Sequence, residues 1–216
     1  KMKTTAVILA AGKGMRMKSA IPKQFLLMKN KPVLLHSLEK FAHFNEIILV
    51  LPESQIDYWK SLCSKYNSKI LHTIVNGGDS RFYSVKNGLE KVDDNSLVAI
   101  HDGVRPLVTK KLIDLLISEA KPGTGSIPVI PLKDSIRKFK NGNSLAVDRN
   151  DLWKVQTPQC FISSEIKKSY MQKFSKRFTD DASVFESSGG KIRAVIGNET
   201  NLKITTKYDL KFAQSL

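Results

Sequence analysis

A chain of 216 residues fits one domain of ordinary size and can bury a core without disulfides or metals, and its 41% hydrophobic and 25% charged residues exclude wholesale disorder. The longest apolar run, Ala6–Ala11, is six residues, against the roughly 20 that a membrane-crossing helix needs. Thirty-five Lys+Arg against twenty Asp+Glu leave a net charge of +15, an attraction for nucleic acid, membrane surfaces or phosphorylated small molecules that does not choose among them.

Thr5–Ala10, β-branched and apolar, reads as a buried strand, and the glycines and four basic residues of Ala11–Gln24 read as a loop. Pro32–Phe44 carries a helical stripe of Val33, Leu34, Leu38 and Phe41 with Pro32 near its start. Glu46–Leu51 is a second strand, Pro52–Lys65 a helix with Ser54 as candidate cap, and Lys69–Val75 a third strand. Ser80–Val92 is a helix entered from Gly77-Gly78-Asp79. Leu97–His101 is a fourth strand, Thr109–Ala120 a helix capped by Thr109, and Ser126–Ile130 a fifth strand. Leu132–Val155 alternates loosely around Asn141-Gly142, a pair favoured in tight hairpin turns; the hairpin is either a surface loop or an arm that packs on a second subunit. Ser163–Phe174 and Asp180–Ser188 read as helices, Lys191–Ile196 as a strand and Thr206–Leu216 as a closing helix.

Strands alternating with helices imply βαβ crossovers. The expected fold is therefore α/β: a Rossmann-like, mostly parallel sheet with helices on both faces and a projecting β-hairpin arm at about 132–155, the whole of 1–216 forming a single domain. Ligands of such sheets sit at the carboxyl ends of the strands. The loops after the first, third and fourth strands hold the glycines, an Asp and several arginines.

The first of these loops runs Leu9-Ala10-Ala11-Gly12-Lys13-Gly14-Met15-Arg16-Met17, then Pro22-Lys23-Gln24-Phe25. Glycines let main-chain N–H groups converge on phosphate oxygens, small Ala10 and Ala11 leave room for a flat ring or ribose, and Arg16 and Lys23 add fixed positive charge. The loop is neither a Walker A motif nor Gly-x-Gly-x-x-Gly, because position 17 is Met, so a dinucleotide site is disfavoured.

Gly77-Gly78-Asp79-Ser80-Arg81 permits close approach of backbone to a ligand, with Ser84 one helical turn after Ser80; it is also an ordinary capped turn. In His101-Asp102-Gly103-Val104-Arg105-Pro106, Asp102 ends a strand and is a candidate Mg²⁺ ligand, and Arg105 can hold that carboxylate or a phosphate. His101 reads as structural, since nothing nearby pairs it with a nucleophile. A scattered set, Asp134-Ser135, Arg149, Thr157-Pro158-Gln159, Thr179-Asp180-Asp181-Ala182-Ser183 and Asn201-Leu202-Lys203-Ile204-Thr205, offers hydroxyls and cations suited to a second phosphorylated, polyhydroxylated molecule.

The first loop resembles the sugar-nucleotidyltransferase signature. Taken with Gly77-Gly78-Asp79-x-Arg81-x-x-Ser84-Val85, His101-Asp102-x-x-Arg105-Pro106, Asp148-Arg149, Gln156-Thr157-Pro158-Gln159, the 179–183 segment and Asn201-x-Lys203-Ile204-Thr205, it closely resembles the 2-C-methyl-D-erythritol 4-phosphate cytidylyltransferases of non-mevalonate isoprenoid biosynthesis, from near residue 5 to near residue 212. The resemblance implies that CTP and methylerythritol phosphate give the CDP-linked alcohol and pyrophosphate, with Mg²⁺. It implies that Arg16 and Lys23 stabilise the transition state and leaving group, that Arg149 and Lys203 position the attacking phosphate, and that Asp102 faces the metal. Ala10, Ala11, Gly12, Gly14, Gly78, Asp79 and Ser84 would hold CTP; Ser135, Thr157 and Thr179 would line the alcohol's pocket, braced by Arg105. It also implies a homodimer in which the arm reaches the partner's site, with Arg149 serving the neighbouring subunit.

Ser135 stands where Thr is expected, and Gly103-Val104 replaces a more familiar small pair; neither removes a functional group. The nearest rival is a ribitol-5-phosphate cytidylyltransferase, against which Ala10-Ala11 and Asp180-Asp181-Ala182 argue. A basic nucleic-acid-binding protein is the rival from another class, but no zinc-finger pattern, basic helix or aromatic ribonucleoprotein motif is present. Two distant cysteines, Cys63 and Cys160, and no apolar signal-peptide core lead to the expectation of a reducing cytoplasm.

Overall fold

The computed structural model describes residues 2–12 and 21–216. In chain order these form β1 (Lys3–Leu9), a 3₁₀ turn (Lys23–Phe25), β2 (Leu27–Met28), β3 (Lys31–Pro32), α1 (Val33–Glu39), β4 (Glu46–Leu51), α2 (Ile56–Lys65), β5 (Thr73–Asn76), α3 (Arg81–Leu89), β6 (Ser96–Asp102) and α4 (Lys110–Glu119). Then come β7 (Thr124–Pro131), β8 (Ile136–Lys140), β9 (Asn143–Val147), β10 (Trp153–Val155), β11 (Gln159–Ile162), α5 (Ser163–Ser169), α6 (Asp181–Ser187), β12 (Lys191–Ile196) and α7 (Lys207–Ser215).

Among the described residues the main sheet runs β5-β4-β1-β6-β11-β7, with β12 along the far edge of β7 and β10 along the same edge of β7 as β11. β5, β4, β1 and β6 are parallel to one another, and β12 is parallel to β7; β11 runs antiparallel to both its neighbours. The strand period of two sorts each strand onto two buried faces. Ala6, Ile8, Leu49 and Leu51 pack with Leu34, Leu38, Trp59 and Leu112 of α1, α2 and α4. Val7, Leu9, Ile48 and Val50 pack with Phe82, Val85, Ile166 and Phe185 of α3, α5 and α6. Helices therefore cover both faces, as a parallel sheet requires. The expected α/β, mostly parallel Rossmann-like sheet is what the chain adopts.

Several details differ from the sequence reading. Thr109 caps α4 by accepting from Leu112 N, as expected, but Ser54 does not cap α2: it lies in a 3₁₀ turn at Glu53–Gln55, and Gln55 precedes the helix. β11 is a central strand without a sequence signal of its own, because four residues after a Thr-Pro step are too short to show a period. α1 and α5 stop at Glu39 and Ser169 where the apolar stripe alone extended them to Phe44 and Phe174, since turns that bury aromatics mimic a helical pattern. The Asn141-Gly142 hairpin forms: β8 and β9 pair as a separate ribbon, and both turn residues have positive φ, 50° and 79°.

Candidate active site

The parallel strands end level with one another. Leu9 of β1 aligns with Val50 of β4 and Asp102 of β6, and Leu51 aligns with Asn76 of β5. A cleft of about 800 Å³ opens at this rim, bordered by Ala10, Ala11, Gly12, Gly78, Asp79, Ser84, Lys23, Asp102 and Lys203. Those nine residues of the sequence-predicted set thus share one cleft. Gly14 and Arg16 lie outside the described residues.

Gln24 explains how Lys23 is delivered to the rim. Its buried amide donates to Ala10 O at 2.9 Å and to Gln55 Oε1 at 2.7 Å, and Phe25 stacks on Trp59, so the 22–25 turn is pinned to the end of β1. On the opposite wall, Gly77 accommodates the first loop: a Cβ there would lie 2.5 Å from Ala11 Cβ. Ser80 caps α3, accepting from Tyr83 N, and Ser84 Oγ accepts from Gly78 N at 3.1 Å, so Ser84 fixes the glycine loop from beneath.

Asp102 is the centre of charge. Its Oδ2 lies 3.0 Å from Lys203 Nζ and 3.2 Å from Arg105 Nε, and Arg81 Nε is 4.0 Å from Oδ1. Burial opposes ionisation, but Lys203, Arg81 and Arg105 together outweigh it and hold the carboxyl well below the usual range. Arg81 in turn gives its two Nη atoms to Asp181, at 2.8 and 2.6 Å, and Asp181 also accepts from Tyr170 Oη at 2.6 Å. Burial works against the Arg81 charge, and Asp181, with help from Asp102, more than offsets it.

Beneath Asp102 lies a polar network of His101, Arg105, Thr157 and Asn201. Arg105 C=O can only accept, so His101 Nε2, 3.1 Å away, carries the ring hydrogen. Thr157 Oγ1 then donates to His101 Nδ1 at 3.0 Å and accepts from Asp102 N at 3.0 Å. Burial is the main cause that lowers the His101 pKa to about 4, so the ring is neutral, which agrees with its structural reading. Arg105 Nη1 donates to Asn201 O at 2.7 Å, and Asn201 Nδ2 donates to Thr157 O at 2.9 Å. The segment before Lys203 is thereby tied to the floor of the cleft.

Arg105 and Thr157 are accordingly buried below the cleft and occupied with Asp102. Ser135, Arg149 and Thr179 are not among its lining residues. Arg149 is exposed at the foot of the β8–β9 ribbon, where Nη1 donates to Lys133 O. Thr179 precedes α6, whose cap is Asp180. The structural roles of Arg81, Asp181 and Gln24 emerge only in the fold; an acid directly after a capping Asp is the one local signal for a buried partner.

Mg²⁺ bound with phosphates takes one or two protein carboxylates and completes its shell with phosphate and water oxygens. Asp102 is ionised, borders the cleft, and has Oδ1 outside hydrogen-bond reach of Arg81. That fits an ion carried by a triphosphate. Among the described residues no group of three or more His, Cys, Asp or Glu could hold a metal without such help.

Amides and cations gathered at one sheet rim suit a substrate with several phosphates and call for no protein nucleophile. By fold, site and relatives, the chain is a nucleotidyltransferase. The family model described as 2-C-methyl-D-erythritol 4-phosphate cytidylyltransferase matches residues 4–216, and the chain belongs to that family. A protein of that name from Azobacteroides pseudotrichonymphae is 50% identical over 216 residues, covering 97% of this chain and 96% of its own length. One from Bacteroides fragilis is 48% identical, covering 98% of each. The crystal structure of the Francisella tularensis enzyme of that name superposes with a TM-score of 0.82 at 28% identity, covering 99% of each chain.

Proposed function

We propose that this chain joins CTP to 2-C-methyl-D-erythritol 4-phosphate, giving 4-CDP-2-C-methyl-D-erythritol and pyrophosphate, a step of non-mevalonate isoprenoid biosynthesis. The observation that carries the reading is the full-length family match together with Lys203, Arg105 and Arg81 around Asp102 at the sheet rim. The family match does not favour the ribitol 5-phosphate or nucleic-acid alternatives.

In this reading an oxygen of the alcohol's phosphate attacks the α-phosphorus of CTP in line. The new P–O bond forms as the bond to the β-phosphate breaks, and pyrophosphate leaves with the electron pair. Catalysis is positioning plus stabilisation of spreading negative charge. Gly12, Gly78 and Asp79 with Ala10 and Ala11 border the nucleotide, and Ser84 steadies the glycine loop. Lys23 meets the charge that builds toward the leaving group, with Arg16 assigned the same task. Lys203, steered by Asp102, holds the attacking phosphate. Mg²⁺, taken up on Asp102 with the triphosphate, would neutralise phosphate charge.

Arg149 is assigned to the neighbouring subunit of a homodimer, with Ser135 and Thr179 assigned to the alcohol's surroundings and Thr157 supporting the site from below the cleft. The exposure of Arg149 beside the hairpin and its absence from the cleft lining of its own chain support that placement. We assign the chain to the cytoplasm, which fits the free thiols Cys63 and Cys160; no helix among the described residues is long and apolar enough to cross a membrane.

A pyrophosphate-release assay across four nucleotides and both alcohols tests the reading. Turnover is expected with CTP and methylerythritol phosphate. Faster turnover of ribitol 5-phosphate by orders of magnitude would overturn the substrate. Tight, salt-sensitive binding of duplex or RNA without any turnover would overturn the enzyme.

A further inference from the structure

Two carboxylates lie within reach of one guanidinium. Asp181, fully buried, takes both Nη atoms of Arg81 at 2.8 and 2.6 Å, a bidentate grip, while Asp102 meets only the Nε edge at 4.0 Å. Asp181 and the turn that carries it are held at three points. Tyr170 Oη donates to its Oδ1 at 2.6 Å; Asp180 next to it caps α6; and Gln159 of β11 ties that turn to the sheet, donating to Asp180 Oδ2 at 3.0 Å and accepting from Ala182 N at 2.8 Å. The anchor is therefore rigid, and the guanidinium is fixed to it. Were Asp181 neutral, the nearest anionic partner for Arg81 would be Asp102.

We propose that Asp181 is a positioning residue that holds Arg81 off Asp102, so that among the described residues no donor closes on Oδ1 of Asp102 at the cleft. Rotation of Arg81 away from Asp181 would let a charged donor close on Oδ1, and with Oδ2 already taken by Lys203 and Arg105 the carboxylate would be fully engaged. Held at 4.0 Å, Arg81 lends its field to Asp102 without occupying the oxygen. The inference rests on the cytidylyltransferase reading for what Oδ1 serves, but its geometric part does not.

The test combines crystallography with steady-state kinetics on the full chain. In Asp181→Asn, the Arg81 guanidinium is expected within about 3 Å of Asp102 Oδ1. The kcat is expected to fall about thirtyfold or more while the KM for CTP changes less than about threefold. The double variant Asp181→Asn with Arg81→Gln removes both charges of the pair, the buried carboxylate and the guanidinium at the cleft wall, and with them the group that would close on Asp102. It is expected to fold even where the single variant does not, and to keep kcat within about tenfold of the unaltered enzyme. Phe185→Leu, in the core of the same helix, lowers Tm and leaves kcat unchanged, which separates simple destabilisation. An Arg81 that stays in place in Asp181→Asn, or a double variant slower than that tenfold limit, overturns the proposal. Absence of turnover in the unaltered enzyme overturns the cytidylyltransferase reading instead, and the crystallographic arm still stands.

Discussion

Lys203 Nζ lies 3.0 Å from Asp102 Oδ2, joining the segment after β12 to the end of β6. The pair sets the direction of a cation that on its own would move freely on a four-carbon stem. Lys203→Ala is expected to raise the KM for methylerythritol phosphate about tenfold or more, with a smaller change for CTP. Unchanged affinity for the alcohol phosphate would remove Lys203 from that role.

Lys23→Ala is expected to lower kcat about a hundredfold while the KM for CTP changes much less, because its charge matters most when the pyrophosphate departs. Initial rates at saturating CTP check this. An unaltered kcat excludes Lys23 from transition-state stabilisation.

Gly77→Ala places a methyl 2.5 Å from Ala11 Cβ, and neither side chain is long enough to turn aside. The two cleft walls must part, at a cost of about 1–3 kcal/mol. Urea unfolding and calorimetric binding of CTP are expected to show lower stability and weaker affinity together. Unchanged values of both would mean that the walls are not in contact in solution.

Thr157→Val keeps the shape and deletes the hydroxyl shared by His101 Nδ1 and Asp102 N. Two buried groups lose partners, a destabilisation of about 2–4 kcal/mol. Thr157→Ser restores most of it. Denaturation midpoints of the three proteins decide the matter, and a valine variant as stable as the threonine protein would refute the network.

His101 makes stability depend on mild acid. Its folded pKa is lowered from 6.5 to about 4, chiefly by burial, so the unfolded chain binds the extra proton between those values. Stability from this group is complete above about pH 6.5 and is lost as pH falls toward 4, on the order of 3 kcal/mol in all. His36, also lowered mainly by burial, acts in the same direction. Urea unfolding from pH 4.5 to 7.5 is expected to show the slope, and His101→Asn to flatten it. Asp102, held far below its normal range, contributes only at stronger acid. Equal slopes in both proteins would deny the assignment.

The sheet was largely legible because its strands are short apolar runs buried on both faces, as at Ala6–Leu9 and Ile47–Leu51. The glycine loop, the second glycine turn and Asp102 were legible too, since residue type and place after a strand point to a phosphate-facing rim. β11 was not legible, because its antiparallel run between β6 and β7 is decided by which edges remain unpaired. The partners of Arg81 were hidden for a related reason: a hundred residues separate it from Asp181, and no local period links them.

From the order of its residues alone the chain determined an alternation of strands and helices, the rim where ligands sit, and the chemical types gathered there. Only the tertiary structure decided that Lys203 and Arg105 share one oxygen of Asp102, that Thr157 lies below the cleft as a link to His101, and that Arg81 belongs to Asp181. The physical reason is range. Periodicity and turn chemistry act over a few neighbours, whereas an ion pair in a buried network depends on which distant segments packing brings within about 3 Å.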